Sequence, residues 1–273
     1  MARLRKFNLL IAAIVFAGPP MWGVAQTSSA ALPDSPMPTR PDRRALTDRE
    51  ETWRGLPQDF LHDQKEIWLV FPNRLTHGHS WIPVLAVSGV TAGLLYADPR
   101  IEPYFGKHQG SWDDFNDSFD AYITTGEVAA VPASLLAAGY LRHDPYQVST
   151  ALLCADAYAD SAIVGLAMKA VTRRERPVQV PPNTSYGDRF FAGNLSGVAN
   201  SSFPSGHAVA AFSVATVVAR RYGNHKWVPW VSYGFATLVG LSRIPSLAHF
   251  SSDVLVGSAI GYATAEYATL RPR

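Results

Sequence analysis

The stretch Phe203-Pro204-Ser205-Gly206-His207-Ala208-Val209-Ala210-Ala211-Phe212-Ser213-Val214-Ala215-Thr216-Val217-Val218 decides the fold. A turn fixed by proline opens into an unbroken apolar run that lacks the period-2 alternation of a half-buried strand, so a helix is expected over residues 207–219. Ser205 stands where a helix is capped, and Gly206 lets a bound group approach the backbone closely. Working outward, segments of the same Ala-, Leu- and Val-rich character occupy residues 81–97, 128–141, 150–170, 227–241 and 252–270. The expected fold is therefore all-α, a helical bundle of about six core helices.

The 273 residues are 47% hydrophobic and 17% charged, which excludes a disordered or fibrous chain. Residues 1–25 run from a basic cluster (Arg3, Arg5, Lys6) through an apolar stretch to Gly23-Val24-Ala25, the layout of a secretory signal, with an uncleaved anchor as the alternative. Residues 26–59, rich in Pro, Ser, Asp and Arg, are expected to be a flexible tether, and 60–273 the helical domain. Without the leader, 21 basic and 22 acidic residues remain, so no electrostatic argument favours nucleic acid as a partner. The single cysteine, Cys154, excludes an intramolecular disulfide and a Cys-cluster metal site.

Several apolar segments are short for a span or interrupted by Asp156, Asp160 or Glu266, so they fit either a membrane-embedded bundle or a periplasmic soluble one. Three spans after an exported N-terminus put the loop after Lys169 in the cytoplasm. Phe115, Phe119 and Tyr122, at i, i+4 and i+7, read as one amphipathic surface helix with Asp113, Asp114, Asp117 and Asp120 as its solvated face rather than a metal site. Asp156 and Asp160 share a face of the helix leading to Lys169 and are placed to support a site from beneath.

Three clusters carry the chemistry. Lys169 and Arg176 are seven residues apart, two turns on one helical face, and Pro177 ends that element. Pro204-Ser205-Gly206-His207 opens the helix quoted above, with amide N–H groups and positive partial charge where an anion would sit. Ser242-Arg243 is followed by His249 and, four residues on, Asp253, whose carboxylate is spaced to orient the imidazole. Taken singly, each cluster equally describes a basic helix end, a capping histidine or an ion pair. Together they supply three cations, an amide cradle and two histidines, all at helix ends. The loop over residues 178–202, with Phe190 and Phe191, is either a lid or a connector.

This tripartite pattern, Lys169 to Arg176-Pro177, Pro204-Ser205-Gly206-His207, and Ser242-Arg243 to His249 to Asp253, resembles the type 2 phosphatidic acid phosphatase and vanadium haloperoxidase superfamily. The resemblance covers residues 169–253. It implies an all-α bundle that hydrolyses a phosphate ester, with no metal or other cofactor in the phosphatase members. It also implies that Lys169, Arg176, Arg243, Ser205 and Gly206 hold the phosphoryl group, His249 attacks phosphorus, Asp253 orients His249, and His207 protonates the leaving oxygen. The expected substrate is a phosphorylated lipid, phosphatidate or a polyprenyl diphosphate, at a cell membrane with a periplasm-facing site. The alternatives are a soluble periplasmic acid phosphatase for small phosphate esters and a vanadate-loaded haloperoxidase.

Overall fold

The computed structural model describes residues 49–76, 81–181, 184–187, 189–193 and 195–271. The expected leader and residues 26–48 of the expected tether lie outside the described residues. Helices run in the order α1 (Leu56–Lys65), a π-helical turn (Glu66–Val70), α2 (Phe71–Thr76), α3 (Trp81–Lys107), α4 (Asp113–Ser118), α5 (Ala121–Arg142), α6 (Pro145–Thr172), α7 (Gly206–Arg221), α8 (Trp227–Ser242) and α9 (Ser251–Thr264), extended by a π turn (Ala265–Thr269). The six expected core helices are α3 and α5 to α9, and no strand occurs among the described residues.

Local chemistry places their ends. The Asp120 carboxylate accepts the Tyr122 N–H at 2.9 Å to open α5, and Asp144 accepts those of Tyr146 (2.9 Å) and Gln147 (3.2 Å) to open α6. His143 ends α5 in the left-handed region (φ 54°), and Pro145 begins α6 at once, so the two helices form an antiparallel pair. α6 stops at Thr172, where Arg173 turns left-handed (φ 43°).

Three expectations change. The helix expected over residues 81–97 passes through Pro99 and Pro103 to Lys107, because Asp98 and Glu102 are buried against the bundle and that anchorage overrides the proline penalty. The amphipathic helix through Phe115, Phe119 and Tyr122 is broken: α4 ends at Ser118, Phe119 packs on Phe115 with ring centres 5.1 Å apart, and Tyr122 belongs to α5 and is 90% exposed. The carboxylate of Asp120, used as a cap, wins over continuing the helix. The folded chain also begins inside the segment read as tether, since Glu51 is buried and α1 starts at Leu56.

That early segment is held by Arg49, which donates to Asp63 (3.0 Å), Asp156 (3.2 Å), Glu51 (2.9 Å) and the Thr269 carbonyl. Asp160 accepts from Gln64 (2.8 Å) and Thr269 (3.2 Å). The two α6 carboxylates thus serve an interior clasp, with Asp160 nine residues, about 13 Å along the axis, short of Lys169.

α7 is the central helix, packed on α6, α8 and α9. α9 comes against it through glycines: a Cβ on Gly261 would stand 2.4 Å from the Val209 carbonyl oxygen and 2.8 Å from the Ser213 nitrogen, and one on Gly257 would stand 2.5 Å from the Ser205 carbonyl oxygen. α3, α5 and α6 are long and apolar enough to cross a membrane, with mean hydropathy 1.4, 1.2 and 1.4. α3 leaves Trp81, Ile82, Leu85 and Val90 exposed.

Gly261→Ala is expected to lower the thermal midpoint by several degrees, corresponding to about 1–3 kcal/mol or more because the obstruction is backbone. A thermal melt of the purified chain checks this, with Gly234→Ala, where a Cβ meets nothing within 4 Å, as the harmless control.

Candidate active site

Three successive backbone carbonyls gather the first and third clusters. Asn200 O accepts from Arg176 Nε at 2.9 Å, Ser201 O from Lys169 Nζ, and Ser202 O faces His249 Nδ1 at 2.7 Å. An imidazole whose Nδ1 meets a carbonyl must carry its proton there, which leaves the Nε2 lone pair free. The last residues of the loop between α6 and α7 are therefore the scaffold of the site. Lys169 and Arg176 do not share a helical face: α6 ends four residues before Arg176, which is extended (φ −78°, ψ 150°). They converge through the loop instead.

The relation of His249 to Asp253 also differs from one helical turn. His249 lies outside α9, and its Nδ1 is 3.7 Å from Asp253 Oδ2, farther than the Ser202 carbonyl. Asp253 Oδ2 accepts from Ser202 Oγ (2.5 Å) and from the Phe250 N–H (2.9 Å), so the carboxylate pins the loop on both sides of the imidazole. Its other oxygen accepts from Arg174 at 2.5 Å.

The second cluster closes the arrangement. Ser205 N donates to Asp253 O at 3.0 Å, tying the start of α7 to the start of α9. Ser205 occupies the N-cap position but its hydroxyl makes no capping bond; it is buried and unpartnered among the described residues. Gly206 is exposed, with nothing near its missing Cβ. His207 is half-buried, its Nε2 3.3 Å from the Ala121 carbonyl and 3.4 Å from Thr125 Oγ1 at the start of α5. Arg243 is 3% exposed; its Nε meets Ser242 Oγ at 3.1 Å and one terminal nitrogen is left without a partner among the described residues. A buried hydroxyl and a buried guanidinium nitrogen with nothing to bind are groups that an incoming oxyanion satisfies.

Residues 148–271 match the family model of the PAP2 superfamily. Among similar proteins, the lipid A 1-phosphatase of Porphyromonas gingivalis is 42% identical over 73 residues, 26% of this chain, and the match spans 16% of that protein's length. The crystal structure of the transmembrane PAP2-type phosphatidylglycerolphosphate phosphatase from Bacillus subtilis aligns over 78% of this chain and 91% of its own, at 19% identity and a TM-score of 0.40.

Beyond the three clusters, the sequence reading missed Arg174, Ser202, Asp98 and Ser252. Arg174 is hidden by its neighbours in Arg173-Arg174-Glu175-Arg176, where only Arg176 stands out by its proline. Asp98 carries the one usable signal, a carboxylate in a long apolar segment.

Electrostatics set the two histidines apart from free imidazoles. Burial holds His249 down at about 4, with Arg176 and Lys169 pushing the same way against Asp253. Burial first, then Arg243, Arg176 and Lys169, also holds His207 below its ordinary 6.5, opposed by the Ala121 carbonyl. Asp253 is kept below the usual carboxylate range: burial works against this, but the His249, Arg174 and Ser202 partners outweigh it. His249 is thus neutral above about pH 4, and His207 loses its proton before its ordinary value is reached. The roles that the resemblance implies, His249 as nucleophile and His207 as acid, need the first neutral and the second protonated. A bell-shaped kcat/KM with an acidic optimum is expected, its alkaline limb below pH 6.5. A bound phosphate dianion offsets the three cations, so the alkaline limb of kcat is expected at higher pH. Steady-state pH profiles check both, and His207→Ala should abolish the alkaline limb.

Proposed function

We propose that this chain is a phosphatase that hydrolyses a phosphate ester or diphosphate of a lipid through a phosphohistidine. The observation that carries the reading is His249 with Nδ1 against the Ser202 carbonyl, which leaves the Nε2 lone pair free, near Arg176 and Lys169, with Arg243 keeping an unpartnered nitrogen among the described residues. Lys169, Arg176 and Arg243, with the Ser205 hydroxyl and the amide of Gly206, hold the phosphoryl oxygens and match the charge that builds in the transition state. His249 Nε2 forms a bond to phosphorus as the ester P–O bond breaks, and His207 gives its proton to the departing oxygen. His207 then takes a proton from water, whose oxygen attacks phosphorus; the N–P bond breaks and phosphate leaves. Asp253 balances the imidazolium. No step in this sequence calls on a metal.

A lipid substrate is supported by the exposed apolar faces of α3 and α5 and by where the site sits along them. Asp98 is seventeen residues from Trp81, about 26 Å along α3, close to the roughly 30 Å of a bilayer's hydrocarbon layer. With Trp81 at one interface, the site lies at headgroup level on the other. The P. gingivalis relative, a lipid A 1-phosphatase, agrees with a phosphorylated lipid as substrate.

A periplasm-facing site is supported by residues 108–120, between α3 and α5, which carry no Lys or Arg, whereas Lys65, Arg74 and Arg142 flank the other ends of α3 and α5. Arg173, Arg174, Arg176 and Arg189 count the other way, and the labelling below decides. In the reading tested, the far end is cytoplasmic and the site faces the periplasm. The segment before α3 is then cytoplasmic, which a cleaved export leader does not allow when all three helices cross.

Two experiments test this. Phosphate release by purified chain from lipid and soluble phosphate esters is expected to favour the lipids, with His249→Ala at least about a thousandfold slower; equal turnover of soluble esters without detergent would favour the soluble periplasmic alternative. Because the sole cysteine, Cys154, is buried, single cysteines at Asp114 and Lys226 report topology: an impermeant thiol reagent on intact cells is expected to label the first and spare the second.

A further inference from the structure

Arg174 is 4% exposed. Both terminal nitrogens of its guanidinium are committed, and only its Nε is without a partner among the described residues. One terminal nitrogen donates to Asp253 Oδ1 (2.5 Å) and Ser252 Oγ (2.7 Å), and the other to Asp98 Oδ2 (2.9 Å). Ser252 in turn donates its hydroxyl to Asp98 at 2.5 Å and its backbone N–H at 3.3 Å. The guanidinium lies over the Phe250 ring at 3.8 Å and the Phe190 ring at 4.7 Å. On the backbone, Arg174 N donates to Ser201 Oγ (3.0 Å), and Arg174 O takes the Ser202 N–H (2.7 Å). One residue therefore touches the loop that carries the scaffold carbonyls, the carboxylate behind His249, and α3, which otherwise lies largely exposed.

We infer that Asp98 and Arg174 form a positioning pair: Asp98, delivered by α3, fixes the Arg174 fork, and the fork fixes Asp253 and so the direction of His249 Nε2. This rests on the phosphohistidine reading above. A planar, five-donor guanidinium is needed because three acceptors in two directions are served at once; an ammonium at the same place serves them as a point charge without the fork. The pair reaches the imidazole through Asp253, and its side-chain hydrogen bonds go to Asp253 and Ser252 rather than to Lys169, Arg176 or Arg243, so its loss misdirects attack without removing phosphate contacts. A displacement of about 1 Å at a nucleophile is worth on the order of a hundredfold in rate.

Glu102 supplies the control. It lies one turn beyond Asp98, is fully buried, and its carboxylate oxygens have no hydrogen-bond partner among the described residues. It shares the neighbourhood and the carboxyl group of Asp98 but not the fork.

The test is rapid-quench measurement of phosphoenzyme formation with a 32P-labelled lipid phosphate, reading rate and amplitude separately, for wild type, Asp98→Asn, Arg174→Lys and Glu102→Gln. Wild type should show a burst, which His249→Ala lacks. Asp98→Asn and Arg174→Lys should retain most of the burst amplitude and the wild-type KM while the rate falls about ten- to a hundredfold, and Glu102→Gln should match wild type. An unfolded fraction lowers amplitude and leaves the rate of the remainder unchanged, so amplitude loss at wild-type rate in Asp98→Asn and Arg174→Lys overturns the inference. So does a rate loss in Glu102→Gln equal to that in Asp98→Asn, which would make the effect one of any buried carboxyl on this stretch of α3. A wild type without any phosphoenzyme overturns the phosphohistidine reading itself, a result distinct from either.

Discussion

The carbonyls of Asn200, Ser201 and Ser202 turn inward one after another, and the site depends on that short run of backbone. Each takes a group that would otherwise repel its neighbour or point elsewhere: Arg176, Lys169 and the Nδ1 edge of His249. Two cations at close quarters are costly to bury, and carbonyl dipoles fixed in advance offset that cost without neutralising the charge that a phosphoryl group needs. The same contact that steadies the imidazole also decides its tautomer. A loop that composition alone leaves as either a lid or a connector thus ends in the least replaceable part of the site.

Around that strip the helices act as a frame with its ends trimmed to a common level. α6 delivers Lys169 in its last turn, α7 and α9 begin side by side through Ser205 and Asp253, α8 ends at Arg243, and α5 begins at the carbonyl beside His207. The glycines of α9 make this possible, because only without side chains at Gly257 and Gly261 can α9 lie directly against the α7 backbone. α3 joins the frame at one point, through Asp98.

How much of this was legible in the sequence varies with the physics involved. The six core helices followed from apolar composition, which reports burial and length. The three clusters were recognisable because Lys169, Arg176, Ser205, His207, Arg243, His249 and Asp253 are types with few alternative uses at such spacing, and all converge. The reasons offered for their convergence fared less well. Helical spacing was invoked for Lys169 with Arg176 and for His249 with Asp253, yet in both pairs one partner lies outside the helix. The true links run through backbone carbonyls, which every residue has and no sequence pattern marks. Asp98 and Arg174 escaped for a related reason, since a buried long-range pair leaves no periodic trace. Pro99 and Pro103 lie beyond the segment expected over residues 81–97, and only tertiary contacts carry the helix past them.

The Arg49 clasp has a practical side. Composition put the start of the folded domain near residue 60, a natural place to begin a shortened recombinant version. Such a version would leave Asp156, set inside an apolar helix, without the guanidinium that bridges it to Asp63 and to the Thr269 carbonyl near the end of the chain. The first and last stretches of the chain are fastened to each other there, so trimming the front loosens the back, and expression should start ahead of Arg49.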